Sequence, residues 1–369
     1  MKNNNVIKVI SEKILCLIEQ GKLEPWRRPW KLNHARNLSS GKFYVGVNSY
    51  LSCIGKYFLT FKQASEMHKQ FDHWEKRGNR KYPVDAKGNI LTPCKGAKSH
   101  PIAYTDSCYV IDTGDLVGLE KERYARSRLD ELEQVLNREF KYFTFRLNDK
   151  EYDLLREKYH ELFLEIKEIQ FLKLYHVFNI DDLDKAGEYE RFIKPEWEQD
   201  NKEKLPKDEQ EVQAVRECIK VVKEYPIPKP LLFIKDSNRA YYSPAEDKIV
   251  CPKAGQFENI FQYYCTLFHE LGHSTGAAHR LNRKGIAEIN TVDKQKYSYE
   301  ELVADFTASM LSGVCGIPDD KYLSQSASYI AGWSKYLKEH KKDIYFAIKD
   351  AEKAVNYMLG KYKPQNKEV

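Results

Sequence analysis

The feature that most constrains this chain is the sequence HELGH at residues 269–273, which lies in a helical run of apolar residues. In a helix, side chains at positions i and i+4 emerge on one face, so the imidazoles of His269 and His273 can reach a single metal ion. Glu270 points beside that ion, where a general base takes a proton from zinc-bound water. The motif therefore predicts a zinc site with two histidine ligands and Glu270 as its catalytic residue.

A catalytic zinc ion with an open position needs a third protein ligand, and the sequence offers two candidates. His279 completes the pattern HExxHxxGxxH, the metzincin layout, although it also fits a solvated turn. Glu301 lies in a second predicted helix, where Asp305 shares its face and could steady a ligand histidine. Glu301 could instead cap that helix in a box with Ser298. We favour Glu301 as the ligand, with His279, Glu300 or Asp305 as alternatives.

Positive charge is concentrated in the first third of the chain. Residues 1–110 carry 19 Lys and Arg against 8 Asp and Glu, whereas the remainder carries 41 against 46. A basic block joined to a near-neutral region is typical of a nucleic-acid-binding module beside a separate domain. A merely well-solvated basic domain is the alternative.

The ends and the apolar runs of the chain bear on its location. No apolar run approaches the roughly 20 residues that cross a bilayer. The start, MKNNN, lacks the basic and then apolar layout of a signal peptide. We therefore expect a cytoplasmic protein with no membrane partner.

A chain of 369 residues accommodates two domains, and periodicity suggests how its elements are arranged. A turn and an edge strand over 240–252 precede the motif helix, where such an edge could pair with an extended peptide or be a plain sheet strand. The other predicted elements are helices over 6–20, near 48–54, over 208–224 and two over 120–172, strands at 43–47, 231–234 and 248–251, a basic loop or ribbon at 76–100 and a polar linker at 194–210.

Several segments together resemble known domains. In the rear of the chain they are HELGHSTG at 269–276, RLNR at 280–283, EELVAD at 300–305 and SASYIAGW at 326–333, and in the front they are SGKFYVGVN at 40–48, LTFKQA at 59–64, KGAK at 95–98 and VFNI at 177–180. The rear segments resemble the zincin-like metallopeptidase domain of polyvalent proteins of plasmids and phages, and the front segments resemble the N-terminal domain of ArdC-type antirestriction proteins. Two departures are the long helical stretch 111–172 and Asp305, which stands where glutamate is commoner.

The resemblance implies an α+β protein of a mobile element. Residues 1–193 would form a mixed α/β domain that binds single-stranded DNA, with a helical insertion at about 115–172. After the linker 194–210, residues 211–369 would form a mostly helical zincin-like metallopeptidase domain with a small sheet. It would bind one Zn²⁺ ion, or another divalent transition metal, and act on an unidentified protein substrate or target.

The basic block also suggests which residues contact nucleic acid. Cations neutralise phosphates, and aromatic rings stack on unpaired bases. Tryptophans near prolines are core residues more often than stacking platforms, so the prediction depends mainly on the basic residues as a group. The candidates are Trp26, Arg27, Arg28, Trp30, Lys31, Lys42, Tyr44, Lys62, Lys95 and Lys98.

Three functions are compatible with these features. The first is an active zinc peptidase that is recruited to DNA and inactivates a DNA-bound protein such as a host restriction factor. The second is a protein that coats single strands and shields them, with a structural metal site. The third is a toxin or processing protease with an unrelated front domain, which the basic block makes less attractive.

Overall fold

The computed structural model of this chain has mixed α and β structure, as predicted. It describes residues 2–20, 35–140, 142–198, 207–283, 286, 294–318 and 336–361. Its contacts divide the chain into two units, one of residues 1–6 and 103–174 and one of residues 7–102 and 175–369. Within the described ranges, every helix is too short or too polar to cross a membrane.

The helices and strands are numbered in chain order. The helices are α1 (Lys2–Glu19), α2 (Phe61–Glu66), α3 (Gly118–Leu136), α4 (Asp149–Lys158), α5 (His160–Leu164), α6 (Gly187–Glu190), α7 (Pro195–Glu198), α8 (Lys207–Lys223), α9 (Ile260–Ser274), α10 (Lys294–Cys315) and α11 (Lys341–Met358). The strands are β1 (Arg36–Asn37), β2 (Tyr57–Thr60), β3 (His73–Arg77), β4 (Arg80–Val84), β5 (Ser99–Ile111), β6 (Ile166–Asn179), β7 (Leu231–Lys235), β8 (Tyr241–Ser243) and β9 (Lys248–Pro252).

The front of the larger unit is organised by β2. This strand pairs in parallel with β1 and antiparallel with β6, in the sheet order β1-β2-β6-β5. It leads into α2, which begins with a capping box between Thr60 and Gln63. The strand predicted at 43–47 is wrong, because only Phe43 forms a bridge and Gly46, at φ +62°, turns the chain into a 3-10 helix.

The basic segment that begins at residue 76 contributes to a ribbon. Strands β3 and β4 form a two-stranded antiparallel sheet closed by the turn Gly78-Asn79. Turns and one isolated bridge, between Val84 and Ile90, follow as far as β5. The predicted basic ribbon is thus confirmed for its first part.

The smaller unit contains α3, α4 and α5, which replace the two helices predicted over 120–172. Their apolar faces meet in a core that includes Leu129, Leu132, Leu155 and Leu162. The structure corrects the helical assignment of Ile166 and Ile169, which lie in β6. A helical spacing of apolar residues did not reveal that this segment belongs to a strand of the four-stranded sheet.

The rear of the larger unit positions the HELGH motif. Helix α9 packs against α10, and α10 packs against α11. A three-stranded sheet of order β7-β9-β8 lies beside α9. The predicted edge strand before the motif is corrected in part: β9 is central because it pairs with both neighbours, and β8 forms the edge.

The predicted linker is partly helical. Residues 195–198 belong to α7 and residues 207–210 to α8, whereas residues 199–206 lie outside the described ranges. The assignment of residues 1–193 and 211–369 to two domains stays a prediction.

Candidate metal centre

Helix α9 is fixed at both ends and at its crossing with α10. Its N-cap residue, Asn259, accepts hydrogen bonds from the main-chain N–H groups of Phe261 and Gln262, both at 3.0 Å. Near the other end, a Cβ on Gly272 would lie 3.2 Å from Cβ of Thr307 on α10. The absence of a side chain at Gly272 therefore lets the two helices approach closely beside the motif histidines.

Three donor groups converge where α9 meets α10. The Nε2 atoms of His269 and His273 lie 3.1 Å apart, and each lies 3.3 Å from an oxygen of Glu301. The possible ligand atoms of these residues all lie within 4.8 Å of one another. In the part of the chain that the structure describes, no other group of three His, Cys, Asp or Glu residues meets this criterion.

Each of the two imidazoles has a carboxylate near its other ring nitrogen. Nδ1 of His269 lies 3.0 Å from Oδ1 of Asp305, and Nδ1 of His273 lies 3.6 Å from Oε1 of the buried Glu300. A carboxylate on that side favours a proton on Nδ1, so that Nε2, which faces Glu301, is the nitrogen that can bind a metal ion. Two imidazole nitrogens and a carboxylate oxygen form a donor set that fits a divalent ion such as zinc.

Glu300 is itself held by Arg283, which follows α9 in the chain. Two guanidinium nitrogens lie 3.1 and 2.5 Å from its carboxylate oxygens. The same guanidinium donates to the Thr275 hydroxyl at 2.7 Å and to the Gly272 carbonyl at 2.8 Å. Arg283 thereby ties the end of α9 to α10 at the level of His273.

Neighbouring charges control the protonation of these groups. Burial disfavours the charged form of His269, but hydrogen bonds to Asp305 and Glu301 hold its pKa well above its usual value. Burial also lowers the pKa of His273, but Glu301 and Glu300 outweigh this effect and raise the pKa to about 9. Burial favours a neutral Glu301, yet the two imidazoles hold its pKa well below its usual value. Metal binding at this centre therefore has to displace protons.

Glu270 lies beside the three donors rather than among them. Its side chain is buried, and burial raises its pKa although the two histidines oppose this. The main-chain N–H of Tyr242, on the edge strand β8, donates to its carboxylate. A buried carboxyl with a raised pKa next to such donors is suited to accept and return a proton near neutral pH.

The alternative ligand, His279, lies away from this group. Its side chain is 46% exposed, and its Nε2 lies 3.3 Å from Asp247. Asp247 also accepts two hydrogen bonds from Arg280, at 2.8 and 2.7 Å, and one from the Tyr242 hydroxyl at 2.9 Å. The structure thus brings Glu301, and not His279, to the motif histidines.

The predicted nucleic-acid-binding residues fall into three groups. Five of them lie outside the described ranges: Trp26, Arg27, Arg28, Trp30 and Lys31. Four are exposed: Lys42, Lys62, Lys95 and Lys98. The last, Tyr44, is only 1% exposed, and its hydroxyl accepts a hydrogen bond from Asn37. Its predicted availability for base stacking is therefore wrong, because the ring belongs to the core.

Two contributors to the site were not predicted from the sequence. One is Arg283, which holds Glu300, a residue considered there only as an alternative ligand. The other is the main chain of Tyr242, which contacts Glu270. An arginine ten residues after a motif histidine is a weak signal, because a solvated turn explains it equally well.

Two protein families match different parts of the chain. Residues 4–178 match the family described as the N-terminal domain of anti-restriction factor ArdC. Residues 231–350 match the family described as zincin-like metallopeptidase.

Curated relatives include two proteins named DNA primase TraC from Escherichia coli. One is 25% identical over 361 residues, which are 95% of this chain and 20% of that protein. The other is 37% identical over 124 residues, which are 34% of this chain and 11% of that protein. This chain therefore spans about a fifth or less of the length of these relatives. The uncharacterized protein y4eC of Sinorhizobium fredii is 28% identical over 121 residues, 33% of this chain and 38% of that protein.

Two solved structures share the fold. The metal-free antirestriction ArdC protein of plasmid R388 superposes with a TM-score of 0.54 at 21% identity, over 96% of this chain and 97% of that one. Its Mn(II)-bound form gives a TM-score of 0.51 over the same shares. In the order of the two families that it matches, and in its fold, the chain resembles an ArdC-type protein.

Proposed function

We propose that this protein is a divalent-metal-dependent peptidase of the HExxH type, joined to a single-stranded-DNA-binding region and acting in antirestriction for a mobile element. The observation that supports the peptidase most directly is the convergence of His269, His273 and Glu301, with a carboxylate near the opposite nitrogen of each imidazole. Zinc is the ion that this donor set suits best.

The three donors would hold the ion, and the neighbouring residues would manage the substrate. A bound divalent ion would polarise a peptide carbonyl and make a water molecule more acidic. Glu270 would accept a proton from that water and deliver it to the departing amine. Its buried position and raised pKa favour both transfers near neutral pH.

The free edge of β8 would orient the substrate. This strand lies at the edge of its sheet, and the main chain of Tyr242 contacts Glu270. An extended peptide that pairs with such an edge places its backbone beside the proton-accepting carboxylate. Asp247 would keep the strand in place through Arg280, which joins it to the segment after α9.

The DNA-binding half of the proposal is supported by charge and by family. The excess of cations in residues 1–110 favours a polyanionic partner. The same region contains most of the match to the N-terminal domain of anti-restriction factor ArdC. Single-stranded DNA would then bring the peptidase to a DNA-bound protein.

Glu270→Gln separates the peptidase from a non-catalytic alternative. We expect this variant to bind one metal ion per chain as the wild type does, and to cleave quenched fluorescent peptides about 10²–10⁴-fold more slowly. Antirestriction should fail in parallel, measured as plasmid establishment in a restricting host. Normal cleavage by Glu270→Gln would refute the proposed role of this carboxylate.

The second candidate function is a DNA-coating protein with a structural metal site, which the basic front region favours. In that case antirestriction should survive Glu270→Gln and should be lost when the cations of the front region are neutralised. The two candidates thus predict opposite results for the same variant.

A further inference from the structure

We propose that the β3–β4 ribbon, residues 73–84, is the surface that binds single-stranded nucleic acid. This inference rests on the DNA-binding half of the proposed function and assigns it to a specific surface. None of the candidates taken from the sequence lies in the ribbon.

The pairing register of the ribbon places like charges opposite each other. Lys76 faces Lys81 and Arg77 faces Arg80 across the two strands. Directly opposed like charges destabilise an antiparallel pair of strands, and a two-stranded ribbon is only marginally stable by itself. Such a concentration of cations is costly for the fold and favourable for a polyanionic ligand.

Most of these cations are available to a ligand. Arg77 forms an ion pair with Glu75 at 2.8 Å and donates a hydrogen bond to the Gly88 carbonyl at 2.9 Å. Lys76, Arg80 and Lys81 are exposed, and among the described residues they form no ion pair. The tip of the ribbon therefore presents three free positive charges within six residues.

Aromatic rings lie at the base of one face of the ribbon. Because side chains alternate along a strand, Trp74, Lys76 and Lys81 share a face. The Trp74 ring lies 6.3 Å from that of Phe61, which is 42% exposed, and 6.0 Å from that of Phe71. Cations beside accessible rings are the arrangement that binds phosphates and stacks unpaired bases. This face favours a single strand over a duplex.

The test compares two double charge reversals of equal size. Lys76→Glu/Lys81→Glu changes the ribbon, and Lys121→Glu/Arg123→Glu changes two exposed cations of α3. Binding is measured by fluorescence anisotropy with an oligothymidylate of about 16 nucleotides and with a duplex of the same length. The titrations are repeated at several salt concentrations.

We expect the ribbon variant to bind the single strand at least about tenfold more weakly, while the α3 variant binds like the wild type. The slope of log affinity against log salt should become shallower by about 1.4, for two lost phosphate contacts on a single strand. Equal affinities and slopes for the wild type and the ribbon variant would overturn the inference alone. A wild type that binds no nucleic acid would overturn the DNA-binding half of the proposed function as well. Equal affinity of the wild type for single strand and duplex would overturn the assignment to single strands.

A single substitution separates binding from folding. Lys76→Glu places opposite charges across the ribbon, so it should leave the midpoint of thermal unfolding unchanged or raised. It should nevertheless weaken single-strand binding. A weakened affinity that accompanies a lowered midpoint would indicate a structural role and would count against the inference.

Discussion

His269 and Asp305 lie on different helices, and Nδ1 of the imidazole is 3.0 Å from Oδ1 of the carboxylate. Asp305 is buried, so this contact is shielded from competing water. It fixes the ring of His269 with Nε2 toward Glu301, 3.3 Å away. The helix that supplies the third donor therefore also orients the first one.

This relationship predicts the effect of Asp305→Ala. Without the carboxylate, the imidazole is less basic and free to turn, so metal affinity should fall about 10–100-fold. Competition with a chelator measures the affinity. Glu352→Gln is a control, because Glu352 lies on α11, accepts a hydrogen bond from the main-chain N–H of Gly46 and is not one of the proposed ligands. Equal metal affinities for Asp305→Ala and the wild type would contradict the orienting role.

The pair of Arg283 and Glu300 predicts a stability effect. Arg283→Met would leave the buried Glu300 carboxylate without its guanidinium partner, at a cost of about 3–5 kcal/mol in the free energy of unfolding. The double variant Arg283→Met/Glu300→Gln should recover part of this loss, because the uncompensated charge is gone. Urea denaturation measures the free energy of unfolding of the wild type, the single variant and the double variant. A double variant as unstable as Arg283→Met would show that the loss comes from packing instead.

The close approach of α9 to α10 predicts that Gly272→Ala disturbs the metal centre. The added Cβ would lie 3.2 and 3.3 Å from side-chain atoms of Thr307, so the helices must move apart by a few tenths of an ångström. We expect a lower unfolding temperature and weaker metal binding. Thr307→Ser in the same chain should restore part of both. Gly255→Ala is the control, because nothing lies within 4 Å of its added Cβ.

The half-buried carboxyl of Glu352 predicts a dependence of stability on pH. Burial raises its pKa above 4.5, although the Gly46 N–H and Lys349 oppose this. Because the folded state binds this proton more tightly than the unfolded state, the contribution of Glu352 to stability falls as pH rises through the raised pKa. Glu352→Gln keeps an acceptor for the N–H but does not titrate.

Relative to the wild type, the free energy of unfolding of Glu352→Gln should therefore increase as the pH rises above 4.5. Denaturant titrations across this range measure the difference. A difference independent of pH, or one that grows in favour of the wild type, would contradict the assignment.

The HELGH motif was recognisable because its spacing alone puts two imidazoles on one helical face. The choice of Glu301 over His279 needed the second helix, since only the crossing of α9 and α10 shows which donor comes near. Arg283 could not be assigned, because its partners lie 8 to 17 residues away in the chain. Contacts that depend on tertiary packing leave no periodic signal.

The fold was predictable to a similar extent. Helix α9 and strands β7 and β9 follow from strong apolar patterns. Tyr44 was misjudged because an aromatic residue in a basic segment suits a core as well as a stacking platform. Strand β6 was taken for helix at Ile166 and Ile169, since its pairing with β2 and β5 involves residues far away in the chain.

The metal content of the purified chain tests the central claim most directly. Protein stripped with a chelator and reloaded with Zn²⁺ or Mn²⁺ should retain one ion per chain after dialysis, measured by inductively coupled plasma mass spectrometry. His273→Ala and Glu301→Ala, checked for folding by circular dichroism, should retain far less. A wild-type chain without stoichiometric metal, or folded variants that retain as much metal as the wild type, would contradict the proposed centre.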